Sequence, residues 1–417
     1  MDNNDLNKEI IDNKDKDGDK AKLKWKKHIP FYILEVLVLI VVIFGAVIIH
    51  KLTRAEKVNL DFSKIGFNFE QEQEDSELAT EPEVEEATPT PEVALPNNDY
   101  IQEDTSADIA KEEENIDREA ISKELYEKYN GNFSIAFFGV DSREGALGAG
   151  TRSDSMMICS IDMDTHEVKL ISLYRDTYLN LGNDSYNKCN AAYALGGPEQ
   201  ALTMMNKNLD LYVDQYVTVG FEGLIDAINA LGGVPIEVKE NEIFHLNNYQ
   251  MAMAEQLGEE YTPVVFAGVQ MLNGLQATAY CRIRYTLGDD FKRAERQRDV
   301  IAAMIKRAGN VSVSKLTEAI TDVVPNVSTS LSLNDIISMA SLASDYEVTV
   351  SDGFPFEGMR NGGPIGSKGS CVVPVDLTKN VKKLHKILFD EEDYKPSDTV
   401  KKYAAKIKED TNDYLIY

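Results

Sequence analysis

The sequence is poor in cysteine and histidine and carries far less positive than negative charge. Its 4 cysteines include no C-x-x-C pair and have no histidine at metal-ligand spacing, so a zinc site is not expected. Its 5 histidines suggest no Ser-His-Asp triad. Lys and Arg number 43 against 70 Asp and Glu, which gives a formal net charge of -27. Such a chain would be repelled by a phosphate backbone, so general binding to nucleic acid is excluded.

The few cysteines differ in their sequence context. Cys159 and Cys281 lie in apolar stretches, which favours buried thiols. Cys189 and Cys371 lie in loop-like sequence, which leaves a disulfide open. The sequence predicts no particular oligomeric state.

One long apolar run stands near the amino terminus. Residues 29–49 are apolar except for Glu35, and at about 1.5 Å per residue a helix of this length spans the roughly 30 Å hydrocarbon core of a membrane. Lysines crowd the end of residues 1–28, which predicts a cytoplasmic amino-terminal tail and an extracytoplasmic remainder. The run is longer than a signal-peptide core and no small-residue cleavage pattern follows it. It is therefore predicted to be a retained single-pass anchor in the cell membrane.

Residues 50–130 differ in composition from the rest of the chain. Most of the negative charge lies between Ile65 and Glu119, in sequence rich in Glu, Thr and Pro such as EPEVEEATPTPEVALP. Low apolar content and like-charge repulsion predict a disordered, extended stalk. Helical composition returns at residues 111–129, which we expect to lead into a folded domain.

Strand-like and helix-like stretches alternate from residue 131 to residue 395. This alternation predicts an α/β domain, which we expect to have three α/β/α layers around a mixed central sheet. A lid-like segment is expected at residues 239–262, and a charged carboxyl-terminal tail at residues 396–417. The predicted strands are residues 134–140, 155–161, 168–174, 212–219 and 234–238, and the predicted helices are residues 222–231, 273–279 and 377–389. The alternating pattern continues through residues 331–343, 347–350 and 371–375.

The first three predicted strands bring charged residues to one edge of the sheet. Asp141 closes the first strand, Asp154 opens the second, and Arg175 follows the third. The second and third strands form a hairpin with arms of equal length, so its two open ends meet at the same edge. Arg143 and Arg152 lie in the loop that joins the two aspartates. Two carboxylates and three arginines are therefore expected together.

Two interpretations of this edge remain open. The carboxylates could be counter-ions of the arginines. Alternatively, they could hold Mg²⁺, which takes one or two carboxylates and completes its octahedron with water and substrate phosphate oxygens. A pyrophosphate with bound Mg²⁺ would engage both residue types. Lys188, farther along, is either another phosphate contact or a surface lysine.

A second basic cluster lies between Tyr280 and Arg298, where the sequence reads YCRIRYTLGDDFKRAERQR. Alternation over residues 279–285 predicts a strand with Tyr280, Arg282 and Arg284 on one face. Two arginines would then project side by side.

From Arg293 the spacing becomes helical. Arg296 and Gln297 fall one turn later on the same face, and Asp289 or Asp290 can cap the helix. Arginines near a helix amino terminus favour an anion, because guanidinium groups bind phosphate oxygens in pairs and the helix dipole adds to the attraction. The cluster indicates a phosphate site, although an ion-pair ladder along a solvated helix face would use the same residues.

Six motifs follow one another in a recognisable order after the apolar run. They read GVDSR, TRSDSMM, SLYRDTY, KCNAAYALGG, LNGLQATAYCRIRY and GDDFKRAERQR. In this order they resemble the LytR-CpsA-Psr family of cell-wall glycopolymer ligases over residues 133–389. Two positions depart from the family's pattern, since Tyr174 stands where proline is frequent and Cys189 replaces an aliphatic residue. Neither departure removes a charged group.

The resemblance implies a phosphotransferase that acts outside the cell. Such proteins move a glycopolymer, for example wall teichoic acid or capsular polysaccharide, from an undecaprenyl-pyrophosphate carrier to a sugar hydroxyl of peptidoglycan. Carried over by motif, Asp141 and Asp154 would hold Mg²⁺. The residues implied to bind pyrophosphate are Arg152, Arg175, Arg282, Arg284, Arg293, Arg296 and Gln297, to which their positions add Arg143 and Lys188 as candidates.

The chemistry of phosphoryl transfer suits these residues. It requires mainly positioning of the reactants and stabilisation of charge on the transferred and leaving oxygens, for which Arg175 is a candidate catalytic group. We expect Asp141 or Asp290 to help deprotonate the attacking hydroxyl. Pyrophosphate hydrolysis would use the same site with water as acceptor. A regulator that binds polyprenyl pyrophosphate without turnover is the other alternative, but a polar tail of residues 1–28 is too short to fold into a signalling domain.

Overall fold

The computed structural model describes residues 118–141, 146–284 and 289–412 of the 417-residue chain. The predicted cytoplasmic tail, the predicted membrane span and most of the predicted stalk lie outside these residues, as does Arg143. Within the described part of the chain, no helix is both long enough and apolar enough to cross a membrane.

Strands form where apolar and β-branched residues run together, as in NFSIAFFGV. In chain order they are β1 (Asn132–Val140), β2 (Ser153–Asp162), β3 (Glu167–Leu173), β4 (Tyr178–Asn180), β5 (Tyr186–Lys188), β6 (Gln215–Val219), β7 (Val234–Val238), β8 (Gly268–Leu272), β9 (Val327–Thr329), β10 (Glu347–Phe354), β11 (Arg360–Pro364) and β12 (Ser370–Pro374).

Helices alternate with these strands along most of the chain. They are α1 (Arg118–Tyr129), α2 (Ala191–Leu209), α3 (Phe221–Ala230), α4 (Glu240–Leu257), α5 (Gly274–Arg282), α6 (Asp289–Ala308), α7 (Val313–Val323), α8 (Leu333–Ser341), α9 (Leu377–Phe389) and α10 (Asp398–Asp410). Within α2 the backbone leaves helical geometry at Gly196 and Gly197, and the helix resumes at Pro198.

The central sheet has six strands in the order β10-β3-β2-β1-β6-β9. Strands β1, β2 and β3 pair in antiparallel fashion, whereas β6 runs parallel to β1 and β10 runs parallel to β3. The sheet is therefore mixed, and the predicted α/β class is confirmed. Two-stranded sheets form from β4 with β5, β7 with β8, and β11 with β12.

Both faces of the central sheet are covered by helices. Alternate residues of β1 point to opposite faces, so Ala136 and Phe138 pack with α2, α9 and α10 on one side. Ile135 and Phe137 belong to the opposite face, where residues of α1, α6 and α8 complete a second core. Burial on both faces explains why the strand reads as an almost continuous apolar run.

Three expectations about secondary structure were wrong. The helix predicted at residues 273–279 is confirmed as α5, but it continues to Arg282, so residues 279–282 are not the start of a strand. Asn273 and Gln276 make a reciprocal capping box that begins this helix. The segment expected to be lid-like forms the long helix α4, in which Leu246 and Met253 are buried. The expected carboxyl-terminal tail contains α10, whose residues Val400, Tyr403 and Ile407 are buried in the main core, so this helix belongs to the domain.

The four cysteines all lie in the described part of the chain and are all free and buried. Cys159 and Cys281 confirm the prediction of buried thiols, and burial raises the pKa of each to about 12. Cys189, read from sequence as a loop residue, lies inside the main core, where its Sγ donates to the carbonyl oxygen of Tyr174 at 3.2 Å. Cys371 lies in β12, so the loop-like interpretation was wrong for Cys371, whereas Cys189 does lie in the turn between β5 and α2.

Candidate functional site

The edge of the central sheet gathers acidic residues as its topology requires. Val140 pairs with Ser153 at an irregularity in the β1–β2 ladder, so Asp141 and Asp154 follow at the same edge. Arg175 lies just beyond β3, and its guanidinium contacts the Asp154 carboxylate. Asp141 is exposed there.

Asp290 joins this edge to the second basic cluster. It lies in the first described turn of α6, and its carboxylate oxygens lie 3.7 Å from Arg175 Nε, 3.7 Å from Arg284 Nε and 3.4 Å from Arg293 Nη2. Three guanidinium groups from three parts of the sequence therefore converge on one carboxylate. This convergence brings the two predicted clusters into one site.

Arg293 is a buried cation with few hydrogen-bond partners. Only 6% of the residue is exposed, its Nη2 donates to the Asp154 carbonyl oxygen at 3.4 Å, and its buried Nε has no hydrogen-bond partner among the described residues. Burial, and then repulsion by Arg175, lower the pKa of Arg293 to about 10, so the guanidinium stays charged at neutral pH. A buried charge in this state is stabilised by an added anion.

Arg175 has the opposite electrostatic balance. Burial alone would lower the pKa of its guanidinium, but attraction to Asp154, Asp290 and Asp176 outweighs burial and raises the pKa. Its Nε is nevertheless buried without a hydrogen bond among the described residues. This donor is therefore held near the Asp290 carboxylate, at 3.7 Å, without a hydrogen bond to it.

A large apolar cavity opens behind these residues. Its volume is about 500 Å³, and it lies between one face of the sheet and helices α3, α6, α7 and α8. Its lining follows β1 from Phe133 to Gly139 and α6 from Arg293 to Ala308. At about 3.3 Å per strand residue and 1.5 Å per helical residue, each path is roughly 20 Å long.

The charged residues that line the cavity lie at one end. Arg282, Arg284, Arg293 and Gln297 lie there with Asp154, whereas the remaining walls are almost entirely aliphatic and aromatic. The cavity thus has the shape and polarity of a site for an elongated amphiphile with an anionic head group.

Aromatic residues that sequence reasoning missed hold Arg282 at the polar end. Its guanidinium carbon lies 4.5 Å from the ring centre of Phe221 and 5.4 Å from that of Tyr249. Phe221 begins α3 and Tyr249 lies in α4, so neither is near Arg282 in sequence. The spacing of residues within the arginine cluster could not predict these contacts.

Several predicted site residues do not line the cavity. Arg296 turns away from it and forms a buried ion pair with Glu242, at 2.9 Å between Nε and Oε1. Lys188 pairs with Asp176 at 3.1 Å beside Arg175. Arg152 is exposed two residues before Asp154.

The carboxylates at the sheet edge suit a magnesium ion that has few protein ligands. In the described part of the chain, no three His, Cys, Asp or Glu residues lie close enough to form a metal cage. Mg²⁺ commonly needs only one or two carboxylates when phosphate oxygens and water complete its shell. Asp141 and Asp154, at one edge beside the arginines, match that donor set.

Comparisons with known proteins agree with this architecture. The model of the LytR_cpsA_psr family matches residues 100–357. Two relatives, the polyisoprenyl-teichoic acid–peptidoglycan teichoic acid transferases TagU of Enterococcus faecalis and Bacillus subtilis, are 32% and 30% identical. The matches cover 58% and 60% of this chain, and 75% of each relative.

A solved structure extends the likeness to the fold. The crystal structure of a Streptococcus agalactiae protein, 28% identical, covers 66% of this chain and 92% of its own, with a TM-score of 0.54. The chain spans between half and three quarters of the length of the curated relatives it matches. Since the family model matches well over half of its residues, the chain belongs to the LytR_cpsA_psr family.

Proposed function

We propose that this protein is a membrane-anchored phosphotransferase that works on the outer side of the cell membrane. It moves an anionic glycopolymer from an undecaprenyl-pyrophosphate carrier to a sugar hydroxyl of peptidoglycan. Relatives that share its family are named as teichoic acid transferases to peptidoglycan. The proposed polymer class includes wall teichoic acid and capsular or secondary wall polysaccharide.

The observation that carries the proposal is the cavity with arginines at one end. A polyprenyl chain is long and apolar, and about 500 Å³ of largely apolar space accommodates the part of it nearest the head group. The pyrophosphate then lies among Arg282, Arg284 and Arg293, where guanidinium forks can bind its oxygens. Neither a hydrophilic nucleotide nor an uncharged lipid would use both parts of this site.

The transfer replaces a phosphoanhydride bond of the pyrophosphate with a phosphodiester bond to the acceptor. The hydroxyl oxygen of the acceptor sugar bonds to the phosphorus that carries the glycopolymer, and the bond from that phosphorus to the bridging oxygen breaks. Polyprenyl phosphate leaves, and the hydroxyl proton passes to an aspartate at the site, Asp141 or Asp290. Arg175, which contacts Asp154 and Asp290, stabilises charge on the transferred group.

Mg²⁺ is part of the proposal as a bound cofactor. Asp141 and Asp154 would hold it at the sheet edge. When bound, it neutralises charge on the pyrophosphate oxygens. The arginines align the lipid head group, and the cavity orients the tail, which fixes the direction from which an acceptor approaches.

The test uses the full chain in detergent micelles with a polyprenyl-pyrophosphate-linked saccharide, Mg²⁺ and a peptidoglycan oligomer. Mass spectrometry follows the saccharide joined covalently to peptidoglycan. The expected product needs acceptor and Mg²⁺, and Arg175→Ala reduces its rate by about 100-fold or more, as for loss of a group that stabilises transition-state charge.

A matched control is Lys306→Ala, a basic residue in the last turn of α6 and far from the arginine end of the cavity. It is expected to keep wild-type turnover. Release of polyprenyl phosphate without a joined product would replace the proposal with pyrophosphate hydrolysis. Lipid binding without turnover would replace it with a regulatory role.

A further inference from the structure

Arg360 packs against two aromatic rings next to the proposed site. Its guanidinium carbon is 4.0 Å from the ring centre of Phe291 and 5.0 Å from that of Tyr174. The two rings contact each other edge to face, with centres 4.6 Å apart. We call these three residues the Arg360 cluster. Cation–π and edge-to-face contacts of this kind are both attractive, so the three side chains stabilise one another's positions.

Each aromatic ring of the Arg360 cluster is adjacent in sequence to a charged residue of the site. Tyr174 precedes Arg175, and Phe291 follows Asp290. The two charged side chains approach to 3.7 Å across the gap between β3 and α6. The cluster therefore joins, by side-chain packing, the two backbone segments whose relative position sets that distance.

Arg360 itself is anchored from behind. It begins β11, and its Nη1 donates to the Pro355 carbonyl oxygen at 3.0 Å and to the Tyr174 hydroxyl at 3.4 Å. The family match ends at residue 357, so Arg360 lies outside the part of the chain that the family model describes.

Strand β10 leaves room for the Tyr174 ring. Tyr174 N–H donates to the Phe354 carbonyl oxygen at 3.0 Å, which places the ring over Gly353. A Cβ at Gly353 would lie 2.1 Å from the Tyr174 hydroxyl oxygen, so a larger residue cannot be accommodated while the ring stays in place. The ring position is thus fixed from the strand side as well as from Arg360.

We propose that Arg360 is a positioning residue, which holds Arg175 and Asp290 in register through Tyr174 and Phe291. This inference rests on the proposed function, in which that pair faces the transferred phosphate. Arg360 makes no direct contact with either charged side chain in the contacts described, so it acts through the two rings. A shift of about 1 Å in such a pair is enough to slow a reaction by up to about 100-fold.

The test compares Arg360→Met, which keeps a long apolar side chain, with Arg360→Lys, which keeps a cation. The control is Arg118→Met. Arg118 lies on α1, outside the site, and pairs with Asp345. For Arg360→Met we expect kcat to fall about 10-fold, KM for the lipid-linked donor to stay within about two-fold, and Arg360→Lys to recover much of kcat. Arg118→Met should match the wild-type protein.

Three results would overturn the proposal: an unchanged kcat in Arg360→Met, a rise in KM without a fall in kcat, or Arg360→Lys no better than Arg360→Met. If the wild-type protein itself transfers nothing, the proposed function fails, and a crystal structure of Arg360→Met then decides the positioning role. In the wild-type protein, Arg175 Nε lies 3.7 Å from Asp290 Oδ2. An increase of about 1 Å in the variant supports the positioning role, and an unchanged distance refutes it.

Discussion

Two arginines three residues apart on α6 have nearly equal burial and opposite surroundings. Arg293 and Arg296 are 6% and 4% exposed. Arg296 meets a buried carboxylate, Glu242, donates from Nη1 to the Ile283 carbonyl oxygen at 3.0 Å, and lies over the Tyr280 ring. Arg293 shares the Asp290 carboxylate with two other arginines and has a buried Nε without a hydrogen bond among the described residues.

This difference distinguishes an arginine that stabilises the fold from an arginine that is proposed to bind a ligand. A buried arginine whose carboxylate partner is its own is part of the packing and cannot bind a ligand without breaking that pair. A buried arginine whose partner is shared, and whose pKa is lowered to about 10, carries a cost in the free protein that an anion removes. The helix therefore presents a structural cation toward α4 and a proposed binding cation toward the cavity.

The largest effect is expected from Arg296→Met, which tests the structural side. It leaves Glu242 buried without its cation, so the free energy of unfolding should fall by about 3 to 5 kcal/mol. Urea denaturation followed by circular dichroism measures the change. The double variant Glu242→Leu with Arg296→Met should recover much of the loss, because an apolar pair replaces an ionic one. If Arg296→Met were as stable as the wild-type protein, the proposed difference between the two arginines would be wrong.

The next effect is expected from Arg293→Met, which tests the binding side. Affinity for a polyprenyl pyrophosphate should fall about 10- to 100-fold, as for loss of charge-assisted hydrogen bonds worth about 1.5 to 3 kcal/mol. The free energy of unfolding should not fall, since a poorly compensated buried charge is removed. Isothermal titration calorimetry and urea denaturation give the two quantities. Lys292→Met, one residue earlier and paired with Glu295 at the surface, should change neither.

A smaller effect is expected in the cavity beside Arg293. Ile301, on α6, lines the cavity. Ile301→Phe places a bulkier aromatic side chain in the space proposed for the lipid tail. Affinity for a polyprenyl pyrophosphate should fall about three- to ten-fold, while affinity for inorganic pyrophosphate stays the same. Leu195→Phe, at an exposed position on α2, is the matched control. Equal losses for both ligands would show that the cavity does not hold the tail.

The strand framework and the sheet edge could be predicted from sequence because both depend on local pattern. Apolar runs placed β1, β2 and β3, and the equal arms of the β2–β3 hairpin brought Asp154 and Arg175 together, as the structure confirms. Asp290 joined them because helical spacing correctly placed α6.

The partners of the arginines could not be predicted because contacts between distant segments leave no periodic signal. Glu242 is 54 positions from Arg296, in a segment read as lid-like. The alternation of Arg282 and Arg284 covers too few residues to separate a strand from a helix end, and the capping box at Asn273 decides in favour of the helix. Spacing therefore placed Arg293 and Arg296 on one face, but their different carboxylate partners distinguish them.

The central claim is that Arg293 and the adjoining cavity together bind a lipid pyrophosphate. The most direct measurement is urea unfolding of the wild-type protein and Arg293→Met, each with polyprenyl pyrophosphate or with the polyprenyl alcohol. We predict that the pyrophosphate, at 100 times its dissociation constant, stabilises the wild-type protein by about 2.7 kcal/mol, and that the same concentration stabilises the variant much less. The alcohol should have little effect on either. Equal stabilisation of both proteins by the pyrophosphate, or equal stabilisation of the wild-type protein by the alcohol, would contradict the account.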